Sequence, residues 1–211
     1  SESTINLGTP AMLFTSFSLK PLSVYIQIKH PITMSCWKLM FKIWIKPKSN
    51  IVLHLDIVKR EFSESLNVEG RHLSQWLKHH GESEGKWIRA KLALATGSLL
   101  GLSSETYIKW AVVCELIHSA SLLHDDVCDK DLYRRGRLTV WKEFGIPAAI
   151  CTGDYLIAES FKKITEISQG WHQTILLKLL SSSVKDIVFG QSVDVSVDSV
   201  LLDWANYQKI E

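Results

Sequence analysis

Cysteine is sparse in this chain of 211 residues, and the four present are poorly placed for a shared task. Cys36, Cys114, Cys128 and Cys151 form no Cys-x-x-Cys pair and have no histidine at zinc-ligand spacing. That excludes a zinc ribbon and a disulfide framework, and leaves free thiols in a reducing compartment. Charge of one sign is also lacking. The formal net charge is only +2, and lysine and arginine form no dense run, which excludes a nucleic-acid-binding protein. No apolar stretch approaches the roughly 20 residues that span a bilayer; 11–17 and 37–45 are short and broken. Period-two alternation and hairpin turn pairs are missing, as are internal repeats, low-complexity tracts and a cleavable signal peptide. These absences point to a cytoplasmic helical protein of one domain, with or without an appendage.

Acids are nearly missing from the first 48 residues. Glu2 stands alone there against Lys20, Lys29, Lys38, Lys42, Lys46 and Lys48, while Pro10, Pro21, Pro31 and Pro47 interrupt any long helix. Residues 1–48 therefore read as an atypical basic extension. The alternative is an organellar transit segment, although arginine is missing from it. From residue 51 onward the pattern changes. Leu53, Ile57 and Phe62 recur near helical spacing, and Leu73, Trp76 and Leu77 form a second stripe. Residues 88–100 are an Ala/Leu-rich helix closed by Gly101, with Ser103, Ser104 and Glu105 opening the next. Further helices are predicted at 106–129, 147–167, 171–194 and 199–210. The fold class is all-α.

The most chemically loaded stretch is His124-Asp125-Asp126-Val127-Cys128-Asp129, followed by Arg134-Arg135-Gly136. Asp125 and Asp129 are four apart and share one helix face, where they repel each other unless a cation lies between them. Hard oxygen donors of this kind suit Mg²⁺, which completes its shell with water and substrate phosphate. Cys128, a soft thiol within the cluster, is a poor ligand for it. Paired arginines supply forked donors for phosphate. Residues 110–123 before the cluster are apolar apart from Glu115 and His118, so a buried helix aims its acids at a cavity. His118 precedes Asp125 by two turns and projects from the same face, the alternative being a satisfied core histidine. Lys86 and Arg89, at i and i+3, can converge on one anion or be ordinary surface charge. Gln191 and Asp194 have the same spacing and read equally as site residues or a surface pair. Small side chains at Ala120 and Ser121, with Cys114 deeper on the helix, leave room for an apolar tail.

Residues 115–140 resemble the first aspartate-rich region of the trans-isoprenyl diphosphate synthases, the polyprenyl synthetase family. Glu84-Gly85-Lys86-Trp87-Ile88-Arg89 resembles the family's Gly-Lys-x-x-Arg segment, with Trp87 and Ala90 standing where Arg and Pro are common. Thr152-Gly153-Asp154-Tyr155-Leu156 resembles its Gly-Asp-Tyr-Leu stretch, and Phe189-Gly190-Gln191-Ser192-Val193-Asp194 its Gly-Gln-x-x-Asp element. The family's second aspartate-rich motif is absent. The chain is thus expected to correspond to the N-terminal part of such an enzyme, with residues 49–211 as a helical bundle incomplete at its C-terminus.

The resemblance implies a prenyltransferase that condenses isopentenyl diphosphate with an allylic diphosphate by Mg²⁺-assisted ionisation. It implies Asp125 and Asp129 as metal ligands supported by Asp126, and Arg134 on the allylic diphosphate with Gln191 and Asp194 nearby. Lys86, Arg89, His118 and Arg135 would hold isopentenyl diphosphate. Ala120, Ser121 and Cys114 resemble the arrangement in synthases making geranylgeranyl or longer products, and the family implies a homodimer. Two alternatives stay open: a non-catalytic subunit that regulates a partner synthase, and a class I terpene cyclase. The cation-bearing segments at 85–89 and 134–136 speak against the cyclase, which has no isopentenyl diphosphate to bind.

Overall fold

The computed structural model of the chain describes residues 49–82 and 85–196. The basic extension 1–48 and the helix predicted at 199–210 lie outside the described residues. Helix α1 (Ser49–Ser65) is followed by α2 (Arg71–Gly81), α3 (Ile88–Leu99) and the long α4 (Ser104–Cys128). A short hairpin, β1 (Tyr133–Arg134) and β2 (Arg137–Leu138), leads into α5 (Val140–Phe144), α6 (Ile146–Thr165) and α7 (Gly170–Ser196). The predicted helices at 88–100, 106–129, 147–167 and 171–194 thus appear with their ends displaced by only a few residues.

The 25-residue α4 is the axis of the bundle. Its start follows from Ser103, whose hydroxyl accepts the Thr106 N–H at 3.3 Å and caps the first turn. Its burial follows from being apolar on more than one side. Val112, Leu116 and Leu123 enter a core with Val58 and Phe62 of α1, Leu77 of α2, Leu94 of α3 and Leu156 of α6. Val113, on another face, enters a separate cluster with Ile164, Ile167 and Leu180. Among its neighbours α4 packs most extensively on α6 and α3. No described helix is long and apolar enough to cross a membrane.

One polar contact ties three helices together. Lys109 on α4 donates from Nζ to Glu61 Oε2 of α1 at 2.8 Å and to Glu166 Oε2, just past α6, at 2.7 Å. The Lys109 side chain is largely covered, so two carboxylates compensate one half-buried ammonium. The family-like stretch in α6 is chiefly a packing element. Thr152 donates to Ala148 O, Leu156 is fully buried, and Tyr155 reaches the Ser65 carbonyl at the end of α1.

The two-stranded hairpin corrects the expectation of no hairpin. Tyr133 pairs with Leu138 and Arg134 with Arg137. Its two-residue turn, Arg135-Gly136, has φ of 51° and 79°, the geometry of a mirror-type turn that follows strand twist. Glycine suits the second position; arginine at the first gives no sequence signal.

The crossing of α3 and α4 depends on Gly97. A methyl group there would collide with Tyr107 Cβ, the rigid root of a side chain buried in the same core. Gly97→Ala is expected to overpack this crossing and to cost about 1–3 kcal/mol. Urea unfolding of the variant against the parent chain checks it, and equal midpoints would show that the helices slide apart without penalty.

Candidate active site

The C-terminal end of α4 brings the acids together. Asp129 is the C-cap residue and donates its N–H to Asp125 O at 2.8 Å, so the two carboxylates stay one turn apart at the rim. Asp125 is half-buried and its carboxyl is held above the usual carboxylate range. Loss of water on burial is the main cause and the Asp129 charge the next, with Asp194 of α7 adding to the same effect. Asp194 is exposed near the end of α7, and the half-buried Gln191 stands one turn before it.

Asp126 has a different part. It is 2% exposed and accepts from Arg134 Nε at 2.6 Å. Burial pushes its carboxyl up, and Arg134 opposes that shift. Arg134 also reaches Asp131 Oδ2 at 3.6 Å. This pair pins the hairpin to the end of α4. Close by, the His124 ring lies over Gly153 on α6, at a spot a methyl group would have to share. His124 Nε2 is 3.5 Å from Asp154 Oδ1 yet makes no hydrogen bond.

Arg135, one residue beyond Arg134, turns toward a second region. Gly85, Lys86, Arg89, Glu115, His118 and Arg135 line an open cavity of about 450 Å³. A Cβ on Gly85 would sit 3.2 Å from Arg135 Nη1 and 3.4 Å from Nη2, so glycine lets the guanidinium lie against the backbone. The four residues read from the sequence as one anion site, Lys86, Arg89, His118 and Arg135, thus face one space. Burial first, and then the charges of Arg89, Arg135 and Arg134, lower the pKa of His118 to about 4. His118 is neutral at pH 7 and can donate a hydrogen bond to an anion without adding charge. A smaller recess of about 210 Å³ continues from this cavity to Lys59 and His80. His80 is likewise pushed to about 4, by burial first and Arg135 next.

Along the same side of α4 lies an apolar cavity of about 540 Å³ between α3, α4 and α7. Trp110, Val113, Cys114 and Ile117 form its α4 wall, and Leu176, Leu179 and Leu180 face them from α7. Arg89 lines both this cavity and the cationic one. Cys114 stands in the wall, where burial and the Glu115 charge push its thiol up to about 12. Ser121 is one turn beyond Ile117 toward Asp125, with its hydroxyl donating to His118 O at 2.9 Å. Ala120 is placed differently from the sequence reading. It is 2% exposed, packs in the main core with Leu116 and Leu123, and does not line this apolar cavity. Trp110 and Ile117 were missed because an apolar residue on a buried helix looks the same whether it faces core or cavity.

The donor set fits a hard divalent cation. Asp125 and Asp129 offer oxygen ligands whose mutual repulsion a cation would relieve. Among the described residues no group of three or more His, Cys, Asp or Glu side chains is placed to hold a metal. Two carboxylates leave most of an octahedral shell to water and phosphate, as Mg²⁺ prefers.

A polyprenyl synthetase family profile matches residues 70–211. The chain is 35% identical over 122 residues to the short chain isoprenyl diphosphate synthase of Methanocaldococcus jannaschii, covering 58% of this chain and 37% of that protein. It is 35% identical over 120 residues to the geranylgeranyl diphosphate synthase of Saccharolobus solfataricus, covering 56% and 36%. Its fold superposes on the crystal structure of a decaprenyl diphosphate synthase from Rhodobacter capsulatus with a TM-score of 0.68 at 26% identity, covering 76% of this chain and 49% of that one. The matched part thus spans little more than a third of the two curated relatives, while residues 70–211, matched by the family profile, include the acid cluster, the cationic cavity and the apolar wall of α4. With its all-α bundle and these matches, the chain belongs to the polyprenyl synthetase family.

Proposed function

We propose that this chain carries the substrate-binding half of a prenyltransferase that joins isopentenyl diphosphate to an allylic diphosphate. The observation that carries the reading is the order of sites along one helix. Asp125 and Asp129 stand at its end, His118 opens on the cationic cavity two turns back, and Cys114 faces the apolar cavity a further turn down. A diphosphate head and a prenyl tail need that sequence of environments. A terpene cyclase has no use for the second, cationic cavity.

Asp125 and Asp129 would hold Mg²⁺, which supplies Lewis-acid stabilisation of the departing diphosphate. Asp126 keeps Arg134 at the rim, where its guanidinium faces the allylic diphosphate, with Gln191 and Asp194 alongside. Lys86, Arg89 and Arg135 bind the diphosphate of the second substrate, and neutral His118 donates to it. The allylic C–O bond breaks, the isopentenyl double bond attacks the cation, and loss of a proton leaves a chain five carbons longer. The apolar cavity of about 540 Å³ is read as the place of the growing tail, with geranylgeranyl or longer products. Exposed apolar side chains on α6 and α7, among them Ile146, Ile150, Trp171 and Ile175, support pairing with a second copy. A cytoplasmic location accompanies this reading.

Incubation with an allylic diphosphate, labelled isopentenyl diphosphate and Mg²⁺ tests the activity directly. Substrate binding without turnover would instead support the non-catalytic subunit. Asp125→Ala and Asp129→Ala are expected to weaken Mg²⁺-dependent binding of an allylic diphosphate analogue about a hundredfold, since several kcal/mol of charge stabilisation pass through the metal. Calorimetry with and without Mg²⁺ reads this, and circular dichroism should show the helical content unchanged. Affinity equal to that of the parent chain would sink the metal assignment.

Cys114→Phe should narrow the apolar cavity and shorten the product of an active form of the enzyme, whereas Ala120→Phe should cost stability instead, about 1–3 kcal/mol. Chromatography of the dephosphorylated products, with unfolding curves for both variants, separates the two outcomes. The reverse pattern would return the tail to the Ala120 face.

The two depressed histidines set a pH dependence. The unfolded chain takes up protons on His80 and His118 near pH 6.5, whereas the folded chain does so only near pH 4. Their contribution to stability is therefore fully present above pH 6.5 and is lost as the pH falls from there toward 4. The raised carboxyls of Asp125 and Asp126 act in the opposite sense, so ring-proton NMR is the clean readout. Neither histidine should titrate above about pH 5. Midpoints near 6.5 would show that water and the arginines do not shape these rings as described.

A further inference from the structure

One residue in the cationic cavity has the sign of charge that a diphosphate would avoid. Glu115 is 8% exposed and lines the space beside Lys86, Arg89, His118 and Arg135. A carboxylate there repels an incoming anion. Its compensating role is in its hydrogen bond. Glu115 Oε1 accepts the Ala90 backbone N–H at 2.8 Å, a buried contact between α4 and the first turn of α3.

That first turn lacks the usual provision for its amides. The opening N–H groups of a helix have no intrahelical partner and are commonly met by a Ser, Thr, Asp or Asn at the N-cap. Here the N-cap is Trp87, in left-handed backbone with φ 54° and ψ 35°, and it offers no side-chain cap. Its ring turns instead onto Phe62 of α1, edge to face at 5.2 Å. Glu115 supplies the missing acceptor from a different helix. The bonded amide adjoins Arg89, and Lys86 immediately precedes the strained Trp87. Holding Ala90 therefore fixes the direction in which α3 leaves the cavity, and with it where both cations converge. The bond also depends on this chain having alanine at a position where proline, which has no N–H, is common in the family.

We propose that Glu115 is a positioning residue that caps α3 from α4 and so holds Lys86 and Arg89 in anion-binding geometry. The proposal rests on the diphosphate reading of the cavity, and the experiment below separates their failures. The 211-residue chain and its variants are titrated calorimetrically with inorganic diphosphate without Mg²⁺, so that the acid cluster takes no part. Glu115→Ala is expected to weaken binding about tenfold or more, in line with losing a hydrogen bond to a charged group. Glu115→Gln keeps an oxygen acceptor for Ala90 and removes the repelling charge, so it should bind at least as tightly as the parent chain. Ala90→Pro keeps the charge but removes the N–H at a position where the first turn of a helix tolerates proline; it should weaken binding as Glu115→Ala does.

Rescue by glutamine is the outcome that a merely structural buried acid would not produce. Glu115→Gln binding as weakly as Glu115→Ala would overturn the capping role. So would parental affinity in Ala90→Pro, which decides the matter even where Glu115→Ala fails to fold. A parent chain that binds no diphosphate would overturn the reading of the cavity and this proposal with it.

Discussion

The ion pair between Asp126 and Arg134 is the constraint on which the site depends. Its carboxylate is 3% exposed, its guanidinium 27%, and the contact is 2.6 Å. Removing one partner of such a pair strands a buried charge, at about 3–5 kcal/mol. The pair does more than stabilise. Asp126 lies on the last turn of α4 and Arg134 on the first strand of the hairpin, so the bond sets where the chain goes after the acid cluster. The turn that follows is only two residues long and so places the Arg135 backbone close by. The Arg135 guanidinium lies against Gly85. One buried contact thus fixes the distance between the acids at the rim and the cations behind them.

The electrostatics of the two regions follow from that arrangement. At the rim, burial raises the Asp125 carboxyl and the Asp129 charge adds to the effect. Behind it, burial first and then the charges of Arg134 and Arg135, with Arg89 beside His118, keep His80 and His118 neutral. Neither region is at rest electrostatically. Each carries an excess of one sign of charge, with Glu115 the exception in the cationic cavity, so the rim favours a cation and the cavity an anion. A metal-bound diphosphate at the first and a free diphosphate at the second are complementary to this field, which is the physical content of the proposed reaction.

How much of this could be read from the sequence depends on the geometry involved. Helical spacing carried the most. The shared face of Asp125 and Asp129 and the two-turn offset of His118 follow from 3.6 residues per turn, whereas Lys86 lies before the N-cap of α3 and meets Arg89 through the loop, not through helical spacing. The serine cap that opens α4 and the glycine that closes α3 were legible too. Contacts that depend on tertiary packing were not legible. Helix α4 is covered on nearly every side, so its apolar residues carry no mark of which face meets the core and which meets the cavity. Ala120 and Cys114 look equivalent in sequence, yet one packs on Leu116 and Leu123 while the other borders the apolar space. Glu115 was noticed only as an exception in an apolar stretch, because its partner is a backbone amide 25 positions away.

The remaining misses share one cause. Among the described residues the only non-glycine positions with positive φ are Trp87, Lys130 and Arg135. All three flank the site. Trp87 sits at the mouth of the cationic cavity, Lys130 follows the last acid, and Arg135 begins the hairpin turn. Local rules assign such backbone to glycine or asparagine, so a tryptophan, a lysine and an arginine give no warning of it. Strain of this kind persists only where the surrounding contacts outweigh it. Here those contacts are identifiable: Phe62 against Trp87, the Asp131 N–H on the Asp126 carbonyl just after Lys130, and the Asp126–Arg134 pair before Arg135. The sequence departs from local preference where the chain must turn sharply to aim a charged side chain, and the neighbouring packing holds it there.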